Sequence, residues 1–137
     1  MSVEDNKALA RRVITAFNAG DVSMSATMFT DDLEYRLAGY PDVHGREQFT
    51  NFVLEIRRSF PDFTFTIEDV VAEGDKVAFR FVARGTHRGT LQGIPPTNKP
   101  FAINGLAIAQ IVDGKVSKLW EVIDRFDQLR QLGLIPA

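Results

Sequence analysis

The stretch FAINGLAIAQIVDGKVSKLWEVID, residues 101–124, decides how this chain folds. Apolar residues alternate with others through both of its halves, which meet at Asp113-Gly114, a dipeptide typical of tight hairpin turns. The pattern therefore predicts two long antiparallel strands, residues 101–112 and 115–124, joined at that turn.

The rest of the chain supplies mostly helices first and strands afterwards. Apolar residues at helical spacing predict the helices, and alternation bounded by Gly, Pro and Asp predicts the strands. The predicted order is helix 3–19, short helix 21–29, strand 33–37, loop 39–45, helix 46–59, strands 63–73 and 76–87, loop 88–100, the hairpin, and a closing helix or turn 125–132. Because helices segregate from an antiparallel run of strands, the predicted class is α+β. Such a sheet, strongly twisted, can curl around a helix and leave a cone-shaped pocket.

Composition narrows the possible chemistry. The 137 residues fit one domain spanning residues 1–137, with 45% hydrophobic and 25% charged residues. The absence of cysteine excludes disulfides, thiol nucleophiles and cysteine-bound metals. With two histidines and no acidic cluster at ligand spacing, we expect no metal site. Eleven phenylalanines indicate either a well-filled core or an aromatic-lined cavity.

The charge pattern bears on partners and location. The net charge is −2 and the basic residues are scattered, so we expect no nucleic-acid partner. No apolar stretch approaches the roughly 20 residues that span a bilayer, so we expect no membrane insertion. The polar and acidic start of the chain is unlike a signal peptide, and the predicted location is the cytoplasm.

Asp124, at the end of the second hairpin strand, is the first candidate for chemistry. On strict alternation it shares a strand face with Val116, Trp120 and Val122. A carboxylate among large apolar side chains is costly unless it is hydrogen-bonded or used. In a pocket its pKa would be raised, so that it could take up and return protons near neutrality. The sequence therefore predicts that Asp124 is a catalytic acid or base.

The register of the hairpin decides which residues join Asp124. A two-residue turn would pair Val112 with Lys115, whereas a three-residue loop with a bulge at Gly114 shifts the pairing by one residue. We favour the bulge, because it gathers three polar residues on one apolar wall, as a small-molecule site requires. The wall that this register predicts consists of Ala102, Asn104, Leu106, Ile108, Gln110, Trp120, Val122 and Asp124. The other face, which includes Ile103, Ala107, Ala109, Ile111, Leu119 and Ile123, is then left for packing or for a dimer interface.

Several candidate residues have two interpretations. Asn104 and Gln110 either bind a ligand or satisfy loop backbone. His87, in Gly-Thr-His at a strand end, is either a second donor near the pocket or an anchor for the following loop, and the anchor is favoured. Tyr35 either points into the cone or only packs there. His44, in a loop with a proline, is interpreted as a surface residue.

A set of short motifs spread along nearly the whole chain resembles one known family. In chain order these are Gly45-Arg46-Glu47, Ser59-Phe60-Pro61-Asp62, Gly85-Thr86-His87-Arg88-Gly89, Gly93-Ile94-Pro95-Pro96-Thr97-Asn98-Lys99, Asp113-Gly114-Lys115-Val116, Trp120 with Asp124, and Gln131-Leu132-Gly133. Their order and spacing resemble the SnoaL-like polyketide cyclases, or ester cyclases, of the nuclear-transport-factor-2-like superfamily. The resemblance implies a cystatin-like α+β cone, no cofactor, and dimers or higher oligomers. It also implies an acid/base aspartate after the Asp-Gly-Lys turn, at the position of Asp124, which in true cyclases serves an intramolecular aldol closure of an aromatic polyketide ester.

Together these observations predict an enzyme that performs cofactor-free acid/base catalysis, an aldol-type cyclisation or isomerisation, on a hydrophobic carbonyl compound. Asp124 would carry the proton, Gln110 and Asn104 would hydrogen-bond the enolate oxygen, and Trp120 would form a flat wall against the substrate. The alternative is a non-catalytic module of the same fold that binds a small molecule or dimerises. In that case Asp124 would be a structural hydrogen-bonding residue.

Overall fold

The computed structural model describes residues 2–21, 23 and 25–136. Three of the four helices lie in the first half of the chain, and strands dominate the second half. The helices are α1 (Val3–Asn18), α2 (Ser25–Met28), α3 (Arg46–Ser59) and α4 (Arg125–Gln131), and the strands are β1 (Phe29–Leu37), β2 (Val43–His44), β3 (Thr64–Glu73), β4 (Lys76–Thr86), β5 (Pro100–Val112) and β6 (Lys115–Ile123). None of the helices in these ranges is long and apolar enough to cross a bilayer.

Most of the predicted elements are confirmed. Helix α3 begins and ends at the predicted residues, because Phe49 and Val53 form its buried face and Pro61 follows its end. The predicted helix 21–29 is wrong in length, since only α2 forms and Val22 and Met24 lie outside the described residues. Strand β2 forms within the segment that was predicted to be a loop.

The strands form one curved sheet in the order β2-β1-β6-β5-β4-β3. The predicted α+β class is confirmed, but one pairing departs from a wholly antiparallel sheet: β1 and β6 run parallel, while all other neighbours are antiparallel. The long connection between β1 and β6, through α3 and four strands, brings β6 back in the same direction as β1. Helix α1 packs mainly against β3 and α3 against β1, so the helices cover the inner face near its two edges.

The inner face pairs large side chains with small ones. On β4 the buried residues Phe79 and Phe81 lie opposite Ala107 and Gly105 of β5. A Cβ atom on Gly105 would lie 2.9 Å from the carbonyl oxygen of Val122 and closer still to the Phe81 ring. Small residues on β5 therefore leave the volume that the phenylalanine rings of β4 occupy.

The hairpin between β5 and β6 combines features of both predicted registers. Its turn has two residues, with Val112 paired to Lys115 and positive φ angles at Asp113 and Gly114, so the predicted three-residue loop is wrong. A bulge nevertheless occurs further along, at Ser117, the one residue left over between two successive pairs. Beyond this bulge the pairing is that of the favoured register, with Ile108 opposite Trp120 and Leu106 opposite Val122.

Candidate functional site

An apolar cavity of about 70 Å³ lies between the inner face of the sheet and the helices α1 and α3. Nine of the eleven phenylalanines line it: Phe17, Phe29, Phe49, Phe52, Phe60, Phe63, Phe65, Phe79 and Phe81. The phenylalanine content thus reflects both predicted interpretations, since most of these rings form the buried core and also line the small cavity within it. Of the residues that the structure describes, four with polar side-chain atoms also line it, namely Tyr35, Tyr40, Glu121 and Gln128.

Glu121 is the ionisable acid of this cavity. It lies on β6 between Leu119 and Ile123, which also line the cavity, and its carboxylate Oε1 accepts a 3.1 Å hydrogen bond from the hydroxyl of Tyr35. The residue is half-buried. Burial raises the pKa of Glu121 from 4.5 to about 7, and the hydrogen bond from Tyr35 partly opposes this rise. A carboxyl group with this pKa exchanges protons near neutral pH.

Tyr35 is held in position by its surroundings. Tyr35 is 4% exposed, its ring packs edge-on against Phe49 with centroids 5.1 Å apart, and it packs at a tilt against Phe52 with centroids 5.4 Å apart. Burial and the neighbouring Glu121 carboxylate raise the pKa of Tyr35 well above 10, so the hydroxyl stays protonated and remains a donor. The parallel pairing of β1 with β6 brings Tyr35 and Glu121 together. Leu119 lies opposite Tyr35, and Glu121 follows two residues later on the same face of β6.

Tyr40 and Arg125 stand beside the cavity. The Arg125 guanidinium carbon lies 4.5 Å from the centre of the Tyr40 ring, and Arg125 also donates a hydrogen bond to the Gln92 side chain. Burial raises the pKa of Tyr40, and Arg125 opposes that rise. Tyr40, Phe52 and Ile56 line both the cavity and an adjacent groove bordered by residues 90–92. The groove therefore adjoins the cavity at these three side chains.

The structure corrects the predicted position of Asp124. Asp124 is exposed, and its carboxylate caps the N-terminus of α4 by accepting a 3.0 Å hydrogen bond from the Asp127 backbone N–H. The prediction that Asp124 faces inward is wrong because the bulge at Ser117 reverses the alternation. Val116 points inward, but beyond the bulge the inward residues are the odd-numbered Leu119, Glu121 and Ile123.

The other residues of the predicted polar wall share this reversal. Asn104 is exposed, and Gln110 donates a 3.0 Å hydrogen bond to Asp75 on the outer side of the sheet. Trp120 is half-buried on that same outer face, opposite Ile108. None of these three lines the cavity described here, so the predicted wall is the outer face of the sheet. The face predicted for packing or for a dimer interface is the one that lines the cavity.

The structure distinguishes between the interpretations that the sequence left open for His87 and for Tyr35. His87 is fully buried, and its Nδ1 accepts a 3.2 Å hydrogen bond from the Thr97 backbone N–H, which ties down the loop after β4. His87 does not line the cavity, whereas Tyr35 does. A ligand-binding role for Tyr35 stays a prediction.

Sequence reasoning missed Glu121, although one signal pointed to it. Alternation within the predicted strand 76–87 places Phe79 and Phe81 on one apolar face. In the structure Phe79 lies opposite Ala107, which in turn lies opposite Glu121. Side chains at paired positions share a face, so following this row from β4 across the favoured register leads to Glu121. The opposite face was favoured for the site instead, because it gathers the polar residues Asn104, Gln110 and Asp124 on one wall.

Comparison with known proteins gives this site a family context. The model of the SnoaL-like polyketide cyclase family matches residues 7–132. The aklanonic acid methyl ester cyclase DnrD of Streptomyces peucetius is 30% identical over 131 residues, covering 91% of this chain and 88% of that protein. The nogalonic acid methyl ester cyclase of Streptomyces nogalater is 31% identical over 134 residues, covering 88% of this chain and 92% of that protein.

A solved structure agrees with these sequence matches. The crystal structure of IdmH from Streptomyces antibioticus superposes with a TM-score of 0.83 at 32% sequence identity, covering 93% of this chain and 98% of that chain. The match of the family model over most of the chain, the curated relatives and the shared fold agree with one another. This chain belongs to the SnoaL-like polyketide cyclase family.

Proposed function

We propose that this protein catalyses an intramolecular aldol ring closure of a hydrophobic carbonyl compound, with Glu121 as the group that moves the proton. The observation that carries the proposal is the Glu121 carboxyl in an apolar cavity, hydrogen-bonded to Tyr35, with its pKa raised to about 7. A group that titrates near the working pH can serve first as base and then as acid.

The reaction needs one proton to leave carbon and one to reach oxygen. The Glu121 carboxylate removes a proton from the carbon next to a carbonyl, which leaves an enolate. The enolate carbon attacks a second carbonyl of the same molecule, so that a C–C bond forms and that carbonyl oxygen becomes an alkoxide. The Glu121 carboxylic acid then protonates the alkoxide and returns to its starting state. The apolar walls hold the folded chain so that the reacting carbons meet, and no cofactor enters these steps.

Tyr35 supports this cycle by its hydrogen bond. Its hydroxyl donates to Oε1 of Glu121, so it keeps part of the population ionised in a site where burial alone would favour the neutral acid. It also fixes one carboxylate oxygen and leaves the other available for the substrate. In this proposal Tyr35 is a positioning residue.

The proposed substrate is a hydrophobic ester of the kind that the relatives' names state. A cavity of about 70 Å³ holds only the reacting part of such a molecule. We propose that the remainder lies in the groove that Tyr40, Phe52 and Ile56 share with the cavity. The cavity wall is rich in aromatic rings, and two of its aromatic residues, Tyr40 and Phe52, also border the groove, which favours flat, conjugated compounds.

The test compares two acids that are close in sequence but differ in position. The protein, the Glu121→Gln variant and the Asp124→Asn variant are incubated with aklanonic acid methyl ester or nogalonic acid methyl ester, and substrate loss is followed by liquid chromatography. We expect turnover by the protein and by Asp124→Asn, and a loss of at least about a hundredfold in Glu121→Gln. Full turnover by Glu121→Gln would contradict the proposal. The prediction that Asp124 is catalytic is tested by the same comparison, since it requires Asp124→Asn to be inactive.

A second proposal concerns association with another copy of this chain. The outer face of β5 and β6 exposes Leu106 at 54%, Val122 at 50% and Ile108 at 44%. These side chains are neighbours in the register, and apolar patches of this kind mark interaction sites. The patch adjoins an Asp69–Arg80 ion pair on the same face, so its border carries both signs of charge. A border of that composition is compatible with a two-fold axis, and we propose a homodimer through this face.

A further inference from the structure

Gln128 is a buried polar residue that the proposed reaction does not use. It lies on α4, it is 2% exposed, and it lines the apolar cavity. Helical hydrogen bonds fix its backbone, because its N–H donates to the Asp124 carbonyl and its carbonyl accepts from the Leu132 N–H, both at 3.0 Å. Among the residues that the structure describes, no donor reaches its side-chain oxygen Oε1.

An unpartnered amide oxygen in this position is unfavourable for the empty protein. A buried acceptor without a donor loses its hydrogen bonds to water and gains none in return. An apolar side chain of similar length would fill the same volume without that loss. Polar groups that interrupt an apolar cavity are typical of sites that orient a ligand.

The other polar side chains of the cavity already have partners. Glu121 and Tyr35 are hydrogen-bonded to each other, and Tyr40 lies against Arg125. The second carboxylate oxygen of Glu121 serves the proton transfer of the proposed reaction. Among the described residues of this wall, the Gln128 oxygen is therefore an unpaired acceptor that the reaction does not use. An amide oxygen only accepts hydrogen bonds, so the complementary ligand atom must be a donor. A charged ammonium group would have to leave water for an apolar cavity, which disfavours it and favours a neutral donor such as a hydroxyl.

We propose that Oε1 of Gln128 accepts a hydrogen bond from a phenolic or enolic hydroxyl of the substrate, so that the site selects hydroxylated aryl ketones over the same ketones without the hydroxyl. The substrate class rests on the proposed function, in which Glu121 acts beside a ketone carbonyl. The hydroxyl preference is a binding property and is measurable without turnover.

The test uses a matched set of small ligands and one variant. Dissociation constants of acetophenone and of 2′-, 3′- and 4′-hydroxyacetophenone are measured by calorimetric titration of the protein and of Gln128→Met, which keeps the side-chain length but cannot bind a hydroxyl. We expect one hydroxy isomer to bind the protein about five- to tenfold more tightly than acetophenone, which is the usual effect of one net hydrogen bond. In Gln128→Met that advantage disappears, while acetophenone binds as before within about twofold.

Thermal unfolding separates a binding role from a structural one. If Gln128 serves the ligand, Gln128→Met and Gln128→Leu both unfold at or above the temperature of the unchanged protein, because each removes an unpaired buried oxygen. A lower unfolding temperature, or loss of folding, in both variants would show that the amide is structural and would overturn the proposal. So would equal binding, or no binding, of all four compounds.

The Glu121→Gln variant distinguishes this inference from the proposed function. The hydroxyl preference should persist in Glu121→Gln, whether or not that variant turns over an ester. A preference that vanishes in Glu121→Gln but survives in Gln128→Met would assign the hydroxyl to Glu121 and overturn the role of Gln128.

Discussion

The hydroxyl of Tyr35 donates a 3.1 Å hydrogen bond to the Glu121 carboxylate, across two parallel strands that are 86 positions apart in the chain. Two opposing effects determine the pKa of Glu121. Burial raises the pKa of Glu121, and the hydrogen bond lowers it, with a net value of about 7. The balance keeps both protonation states of the carboxyl accessible at neutral pH.

Removing the Tyr35 hydroxyl should shift this balance in one direction. In Tyr35→Phe the contribution of burial remains and the hydrogen bond that favours the carboxylate is lost, so we expect the pKa of Glu121 to rise above its value of about 7. A carboxyl-carbon NMR titration measures this directly, and the rising limb of kcat/KM should move to higher pH with it. Tyr40→Phe is the matched control, because the Tyr40 side chain lies against Arg125. An unchanged or lower Glu121 pKa in Tyr35→Phe would contradict the expectation.

The raised pKa of Glu121 also predicts how stability depends on pH. The carboxyl titrates at about 7 in the folded protein and near 4.5 when unperturbed. Between these values the folded state binds more protons than the unfolded state, so the free energy of unfolding falls as pH rises. The contribution is present in full below the unfolded pKa and is lost as pH passes through the folded one. We expect a decrease of roughly 1 to 3 kcal/mol from this group between about pH 5 and about pH 8.

Urea denaturation at the two pH values measures this decrease. Glu121→Gln has no titrating carboxyl at this position, so its free energy of unfolding should change less over the same interval. The exposed Asp124 offers the control, because Asp124→Asn should keep the pH dependence of the unchanged protein. Parallel pH curves for Glu121→Gln and the unchanged protein would show that Glu121 titrates normally.

Local patterns predicted the elements of this fold well. Helix α3 was predicted to its terminal residues, because apolar spacing and the following Pro61 act within a few residues of one another. The hairpin was also predicted correctly, from the dipeptide Asp113-Gly114. Both residues have positive φ angles, which suit a two-residue turn. The parallel pairing of β1 with β6 has no local signal, since its partners are separated by most of the chain.

The candidate site was less predictable, for a reason that lies in one residue. Ser117 forms a bulge without a glycine or any other residue that would mark it, and it exchanges the two faces of β6 beyond it. Strict alternation therefore assigned Asp124 to the interior and Glu121 to the exterior, the reverse of what is found. The sequence predicts an acid in an apolar pocket near the end of β6. The acid found there is Glu121, three residues before the predicted Asp124.

The close approach of β5 to the Phe81 ring predicts that Gly105 tolerates no side chain. In Gly105→Ala the added methyl group meets the Phe81 ring and the Val122 carbonyl oxygen. We expect a loss of about 1 to 3 kcal/mol in the free energy of unfolding, as overpacked cores show. Combining Gly105→Ala with Phe81→Leu should cost less than the sum of the two single changes, because the smaller side chain gives way. Additive losses would indicate that the two positions do not share this space.

The outer face of the sheet predicts the behaviour of a surface variant. In Leu106→Lys a charge enters the centre of the exposed apolar patch, where a second copy would have to bury it. We expect sedimentation velocity to give a dimer for the unchanged protein and a monomer for Leu106→Lys, with the same far-UV circular dichroism. Val71→Lys is a control at the edge of the sheet, since Val71 is also exposed but lies on β3. A monomeric unchanged protein at high concentration would rule out the proposed homodimer.

The cap of α4 assigns Asp124 a structural role that is measurable apart from catalysis. Its carboxylate accepts the Asp127 N–H, and asparagine can make the same bond, whereas alanine cannot. We expect Asp124→Ala to lose about 1 kcal/mol in the free energy of unfolding and Asp124→Asn to lose only a few tenths. The capped helix carries Gln128 into the cavity, so Asp124→Ala should also weaken binding of the preferred hydroxyacetophenone more than that of acetophenone. Equal stability of the two variants would mean that the cap is replaced by water, and α4 would then hold its position through Leu132 and the core instead.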